Sequence, residues 1–82
     1  MNISLKRNFG DAFYRMENNQ IEKYRIVSII LSLSPETGDI IESYNVKHIE
    51  YHRNEHMRQK DIGVIWFETI DELINKLTKN IN

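Results

Sequence analysis

The chain contains no cysteine, one proline and three glycines among its 82 residues. Without cysteine it can form no disulfide, no thiolate zinc site, no iron–sulfur cluster and no covalent thiol intermediate. This absence fits a reducing compartment, and we expect the protein to be cytoplasmic. Long apolar runs are also lacking, because the longest, Ile26–Leu33, is interrupted by two serines. It is far shorter than the roughly 20 apolar residues that cross a bilayer, so we expect no contact with membranes.

An excess of one charge is missing as well. Eleven Lys and Arg oppose twelve Asp and Glu, which gives a net charge of −1. This balance excludes both a strongly basic nucleic-acid coat protein and an acidic DNA mimic. The length predicts a single domain over residues 1–82. Thirteen Ile and nine Asn against one Ala indicate AT-rich coding, as in a low-GC bacterium, a phage or an organelle.

The only proline marks the clearest turn of the chain, Ser34–Asp39. The segment before it, Tyr24–Leu33, is rich in β-branched residues and predicts a strand. The segment after it, Ile40–Val46, predicts the returning strand of a hairpin. Both parities of the first strand are apolar in its middle, which is typical of a strand buried on both faces.

Helical periodicity occurs at both ends of the chain. Thr69 and Glu72 fit a capping box at the start of a C-terminal helix. Its apolar stripe recurs at helical spacing, at Ile70, Leu73, Ile74, Leu77 and Ile81. Near the N-terminus the same spacing predicts a second helix, with a stripe formed by Phe9, Ala12, Phe13 and Met16 and an end at Asn18–Gln20.

A short apolar segment, Val64–Phe67, predicts the third strand. The element order is then α-β-β-β-α. The predicted fold class is α+β, with a three-stranded antiparallel sheet, an N-terminal helix and a C-terminal helix. For residues 48–60 two conformations stay open, an extended edge strand with a loop or a short polar helix.

No catalytic motif occurs in the chain, so we expect no enzyme and no cofactor. His48, His52 and His56 follow one another at a spacing of four, which would let neighbouring rings share a metal ion only on a helix. We interpret them as solvated side chains and predict no metal site.

The same segment suggests one alternative function, nucleic-acid binding through cations and an interleaved aromatic ring. Its candidate residues are Lys47, Tyr51, Arg53, Arg58 and Lys60.

The apolar strands suggest the main functional hypothesis. Trp66 and Phe67 are neighbours on a strand and point to opposite faces, so a sheet covered on one side would expose one of them together with part of the Tyr24 strand. We expect Trp66, Phe67 and Tyr24 to contact a protein partner, with a homodimer as the simplest case. The sequence thus predicts a small non-enzymatic regulatory protein of the inhibitor or adaptor type, acting through protein–protein contact.

Overall fold

The computed structural model describes residues 5–79 and has an α+β fold. Four strands form one antiparallel sheet in the order in which they occur along the chain. They are β1 (Ala12–Glu17), β2 (Gln20–Leu33), β3 (Ile40–His48) and β4 (Asn54–Arg58). A short 3-10 turn, Gln59–Asp61, follows β4, and the single helix α1 spans Ile70–Lys79. The predicted fold class and antiparallel sheet are confirmed, but the sheet has four strands and the described residues contain one α-helix.

The predicted N-terminal helix is wrong, because Ala12–Glu17 forms β1. This strand pairs with β2 from Ala12↔Arg25 to Glu17↔Gln20, which leaves Asn18 and Asn19 as a two-residue hairpin turn. Both have positive φ values, 50° and 65°. Such a turn matches the twist of the flanking strands, and asparagine adopts the left-handed region more readily than most residues. The two asparagines therefore reverse a strand and do not end a helix.

The fourth strand comes from the segment whose conformation the sequence left open. β4 pairs with β3 from Ser43↔Arg58 to Lys47↔Asn54 and forms an edge of the sheet. The turn before it contains His52 with a φ of 55°. Residues 48–60 are therefore a strand end, a turn, an edge strand and a 3-10 turn, with no polar α-helix.

The predicted strand Val64–Phe67 is a turn followed by two isolated bridges. The carbonyl of Asp61 accepts the amide hydrogens of residues 64, 65 and 66, at 2.9–3.1 Å. Trp66 then bridges to Ile62, and Phe67 exchanges two backbone hydrogen bonds with Tyr14. This short segment thus covers the free edge of β1 without forming a regular strand.

The C-terminal helix begins where the sequence predicts. Thr69 Oγ1 accepts the backbone N–H of Glu72 at 3.1 Å, as expected of an N-cap residue. Only Leu73 of the apolar stripe is buried, whereas Ile70, Ile74 and Leu77 stay partly exposed. The fifth predicted position, Ile81, lies outside the described residues. No helix among residues 5–79 has the length and apolar character needed to cross a membrane.

The sheet has two faces of different character. Residues directly opposite one another on paired strands share a face. The pairs Phe13↔Tyr24, Ile26↔Val46 and Tyr44↔Met57 lie on the face that we name the core face. The buried core cluster contains these six residues and Trp66. The other side, which carries Ser28, Asn45 and His56, is named the outer face.

Candidate interaction surfaces

The hairpin of β2 and β3 extends beyond the rest of the sheet. β1 pairs only with residues 20–25 of β2, and β4 pairs only with residues 43–47 of β3. Residues 28–33 and 40–42 therefore form a two-stranded projection closed by the turn 34–39, which we name the arm. In the part of the chain that the structure describes, neither long edge of the arm has a strand partner.

A β-bulge at the base of the arm decides which side chains face which side. The pairing of β2 with β3 shifts between Ile26 and Ser28, so Val27 is an extra residue. A bulge of this kind reverses the alternation of side chains along the strand. Before it Tyr24 and Ile26 face the core, and after it the odd-numbered residues do. Because of this reversal, the even-numbered apolar residues before the bulge and the odd-numbered ones after it share the core face.

The arm exposes five large aliphatic side chains. Their exposed fractions run from 37% to 67%. Leu31, Leu33 and Ile40 lie on the core face beyond the reach of the core, and Ile30 and Ile41 lie on the outer face. The sequence pattern that predicts a strand buried on both faces is thus found on a strand whose last four residues, 30–33, are exposed on both faces.

The three residues predicted to contact a partner are interior. Trp66, Phe67 and Tyr24 are 2%, 7% and 0% exposed. The rings of Trp66 and Tyr24 meet edge to face with centroids 4.9 Å apart. Phe67, the next residue after Trp66, pairs with Tyr14 of β1. Because the chain itself covers both rings of the Trp66–Phe67 pair, these residues offer no free apolar surface in this fold.

A polar cluster closes the core beside Trp66. The Arg15 guanidinium lies 4.5 Å from the Trp66 ring centroid and 5.0 Å from that of Tyr24. The Tyr24 hydroxyl donates to Glu17 and accepts from Arg53. Burial by itself would raise the pKa of Glu17, but hydrogen bonds from Tyr24 and Arg15 outweigh it and hold this pKa below its ordinary value. The cluster therefore holds an ionised carboxylate between two guanidinium groups.

The five residues predicted to contact nucleic acid do not share one surface. Lys47 and Arg58 lie on the outer face. Arg53 is tied to Glu17 and Glu55 on the opposite side. The ring of Tyr51 stacks on His48 with centroids 4.6 Å apart, and Lys60 lies exposed in the 3-10 turn.

The three histidines occupy three different environments. His48 is buried, its Nε2 lies 2.5 Å from a Glu22 carboxylate oxygen, and its Nδ1 accepts the backbone N–H groups of residues 50 and 51. His52 lies in the turn, and His56 lies on the outer face of β4. No group of three or more His, Asp or Glu side chains among residues 5–79 could hold a metal ion.

Charge is divided between the two faces of the sheet. The acidic residues of the strands, Glu17, Glu22, Glu42 and Glu55, all lie on the core face. Among the strand residues, the outer face carries no carboxylate, and its basic side chains are Lys23, Arg25, Lys47, His56 and Arg58. Sequence reasoning missed Lys23 and Arg25. Their spacing of two along β2 places both on one face, but the sequence alone does not show that this face is the outer one.

Comparisons with protein-family models, with curated proteins and with solved structures found no match to this chain.

Proposed function

We propose that this protein is a small, non-enzymatic, cytoplasmic regulatory protein that acts through protein–protein contact, and that the arm is its contact surface. One observation carries the proposal, the exposure of five large aliphatic side chains on a hairpin whose two edges have no strand partner among residues 5–79. A long, apolar, unpaired edge is a template for strand addition, which natural proteins usually protect.

The proposed occupant of the arm is a second copy of this chain. The Ser34 N–H donates to the Asp39 carbonyl at 2.8 Å, so the backbone groups of Ser34 point toward β3. Because these directions alternate along a strand, the backbone groups of Leu31 and Leu33 point to the open edge. Two β2 edges can therefore pair antiparallel about a twofold axis at Leu31, which is the symmetry of most dimers.

Charge favours this arrangement. Antiparallel pairing centred at Leu31 places the tip of one arm beside the base of the other. The tip carries Glu36 and Asp39, and the base carries Arg25. Opposite charges thus meet at both ends of the interface, which favours this register over a parallel one.

The exposed area is also compatible with a dimer. Three of the five side chains lie on the core face of the arm and two on the outer face, and pairing of two β2 edges would place each group next to its counterpart on the second copy. A stable interface buries roughly 1,200–2,000 Å², so the backbone edges and the polar tips supply the remainder.

The first test is the mass of the purified chain in solution. Light scattering coupled to size exclusion, between about 10 µM and 1 mM protein, should give twice the 9.8 kDa of one chain. The double variant Leu33→Asp/Ile41→Asp should be monomeric and keep its far-UV circular dichroism, because both side chains are exposed. Val64→Asp is the control, since it places one such charge on an exposed aliphatic residue outside the arm. A monomer at every concentration, or dissociation by Val64→Asp instead, refutes the proposal.

A second pair of variants tests the strand edge itself. Leu31→Pro removes an outward N–H that the monomer does not use, and proline is tolerated at such edge positions. Leu31→Thr shortens the same side chain and keeps the N–H. Strand addition predicts that Leu31→Pro weakens the dimer at least tenfold more than Leu31→Thr. Equal weakening by the two variants would mean that the edge is not paired.

A further inference from the structure

The outer face carries a second candidate binding surface, which lies outside the arm and shares only Arg25 with the proposed dimer interface. Its charged strand residues form a stripe that crosses β2, β3 and β4 obliquely. Lys23 and Arg25 lie along β2, Lys47 lies opposite Arg25, and Arg58 lies near the far end of β4. With about 3.3 Å per residue and about 4.8 Å between strands, the stripe is roughly 20 Å long.

The pairing of Arg25 with Lys47 is unfavourable for the fold alone. Like charges directly opposite one another on neighbouring strands destabilise a sheet. No carboxylate in the described part of the chain forms an ion pair with Lys23, Arg25 or Lys47. Arg25 donates instead to the Gly10 carbonyl at 2.9 Å, and Lys23 lies 5.8 Å from the centroid of the Tyr14 ring. Three neighbouring cations therefore share one surface with no anion of their own.

The surface beside these cations has a second feature. Arg25 and Lys47 border a shallow groove whose other walls include the aliphatic side chains of Val27 and Ile49 and the ring of His52. The bulge at Val27 and the turn after β3 create this groove. It offers a flat apolar surface within reach of two positive charges.

We propose that the outer face binds single-stranded nucleic acid. Phosphates would follow the stripe from Lys23 through Arg25 and Lys47 to Arg58. A base would enter the groove at Val27 and Ile49, since flat faces of bases pack on apolar and ring surfaces whatever their sequence. Toward β4 the stripe is flanked by Asn45 and His56, which can hydrogen-bond to exposed base edges.

A single strand fits this face better than a duplex does. In a duplex the bases are stacked inside the helix, so no exposed base would be free to enter the apolar groove. Arg58 is partly neutralised by Asp61, whose carboxylate lies 3.0 Å from its Nε. The strongest contacts are therefore expected at the Lys23–Arg25–Lys47 end, next to the groove.

The test uses the full chain and fluorescence anisotropy of labelled oligonucleotides. The probes are a single-stranded mixed-sequence RNA, a single-stranded oligothymidylate and a DNA duplex of the same length, each at about 50 mM and 200 mM salt. The double variant Arg25→Gln/Lys47→Gln should bind the single strands at least tenfold more weakly. Its slope of log K against log salt should fall by about 1.4, which corresponds to two lost phosphate contacts.

The matched control is Lys76→Gln/Lys79→Gln, which removes the same charge from exposed positions of α1. It should change the affinity for single strands less than twofold.

The Arg25→Gln/Lys47→Gln variant should also unfold at a temperature no lower than the wild-type chain, because it relieves a like-charge pair. Each of the following results overturns the proposal: no binding at low salt, equal weakening by the control, equal or tighter binding of the duplex, and equal or tighter binding of heparin. Binding only to an acidic protein would likewise overturn it. The arm variant Leu33→Asp/Ile41→Asp should retain binding per chain, so the two proposals can fail separately.

Discussion

The hydroxyl of Tyr24 is the atom whose removal should report most directly on the polar cluster beside the core. It donates to Glu17 and accepts from Arg53, at the end of an otherwise buried ring. A hydrogen bond to a charged group contributes about 1.5–3 kcal/mol to stability. Glu17 would keep its two guanidinium partners in Tyr24→Phe, which places the expected loss at the lower end. We expect the free energy of unfolding to fall by about 1.5 kcal/mol and the melting temperature by about 6–12 °C.

The assay is urea unfolding of the wild-type chain and Tyr24→Phe, with Tyr51→Phe as the control. Tyr51 is exposed, and its hydroxyl has no hydrogen-bond partner in the described chain, so the control should change stability by less than about 0.5 kcal/mol. Equal stability of the two variants would refute the role assigned to the cluster.

The pH dependence gives a second reading of the same variant. The pKa of Glu17 is lowered in the folded state, so its carboxylate stabilises the fold above its ordinary pKa of 4.5. This contribution is lost as the pH falls through the lowered folded-state pKa. Tyr24→Phe removes one of the bonds that lower this pKa. The stability difference between the wild-type chain and Tyr24→Phe should therefore narrow below about pH 4.5, and a difference that widens there contradicts the assignment.

Three further predictions concern the tyrosines, the first turn and the helix. Burial, together with hydrogen bonds to Glu17 and Glu42, raises the pKa values of Tyr24 and Tyr44. The stability that the two protonated hydroxyls give is therefore complete below pH 10 and is lost as the pH rises further. Absorbance at 295 nm should show that these two tyrosines ionise together with the loss of far-UV circular dichroism, not before it. Asn19→Gly should raise the free energy of unfolding by about 0.5 kcal/mol in urea titrations, because glycine adopts the positive φ of this turn at less cost. Thr69→Ala should lower it by about 1 kcal/mol, whereas the conservative Thr69→Ser should be nearly neutral.

The first hairpin shows why the N-terminal helix was mispredicted. Phe9, Ala12, Phe13 and Met16 recur at helical spacing, but only Phe13 of these is buried. In the strand, Phe13 faces the core while Ala12 and Met16 face the other side, and Phe9 lies in the turn before the strand. Two adjacent asparagines are compatible with a helix end and with a hairpin turn. Only the pairing partner, β2, decides between them, and that choice is not local.

The C-terminal helix and the β2–β3 hairpin were predictable because their signals are local. Thr69 caps its own helix, and the only proline lies in the turn between its two strands. Trp66 was not predictable in the same way. Its burial depends on contacts with Tyr24 and Arg15, which lie far away along the chain. A pattern of neighbouring residues does not indicate such long-range contacts.

The candidate surfaces, too, have one part that local sequence predicts and one part that depends on strand pairing. The apolar character of the arm can be read from Tyr24–Leu33, but its exposure depends on how short β1 and β4 are. To predict the outer-face stripe, one must know which residues of β2, β3 and β4 face outward. Because Val27 shifts this parity by one residue, no uniform alternation over β2 could have assigned both Arg25 and Ile30 to the outer face.

The backbone bonds between Tyr14 and Phe67 join the first strand to the segment just before the helix. Loop closure over most of a chain costs entropy before any contact offsets it. A growing polypeptide can form its three hairpins early, but the aromatic cluster stays incomplete until Trp66 has left the ribosome. Until then the side of Tyr24 that Trp66 will cover is open to solvent, and the nascent sheet depends on its hairpins alone.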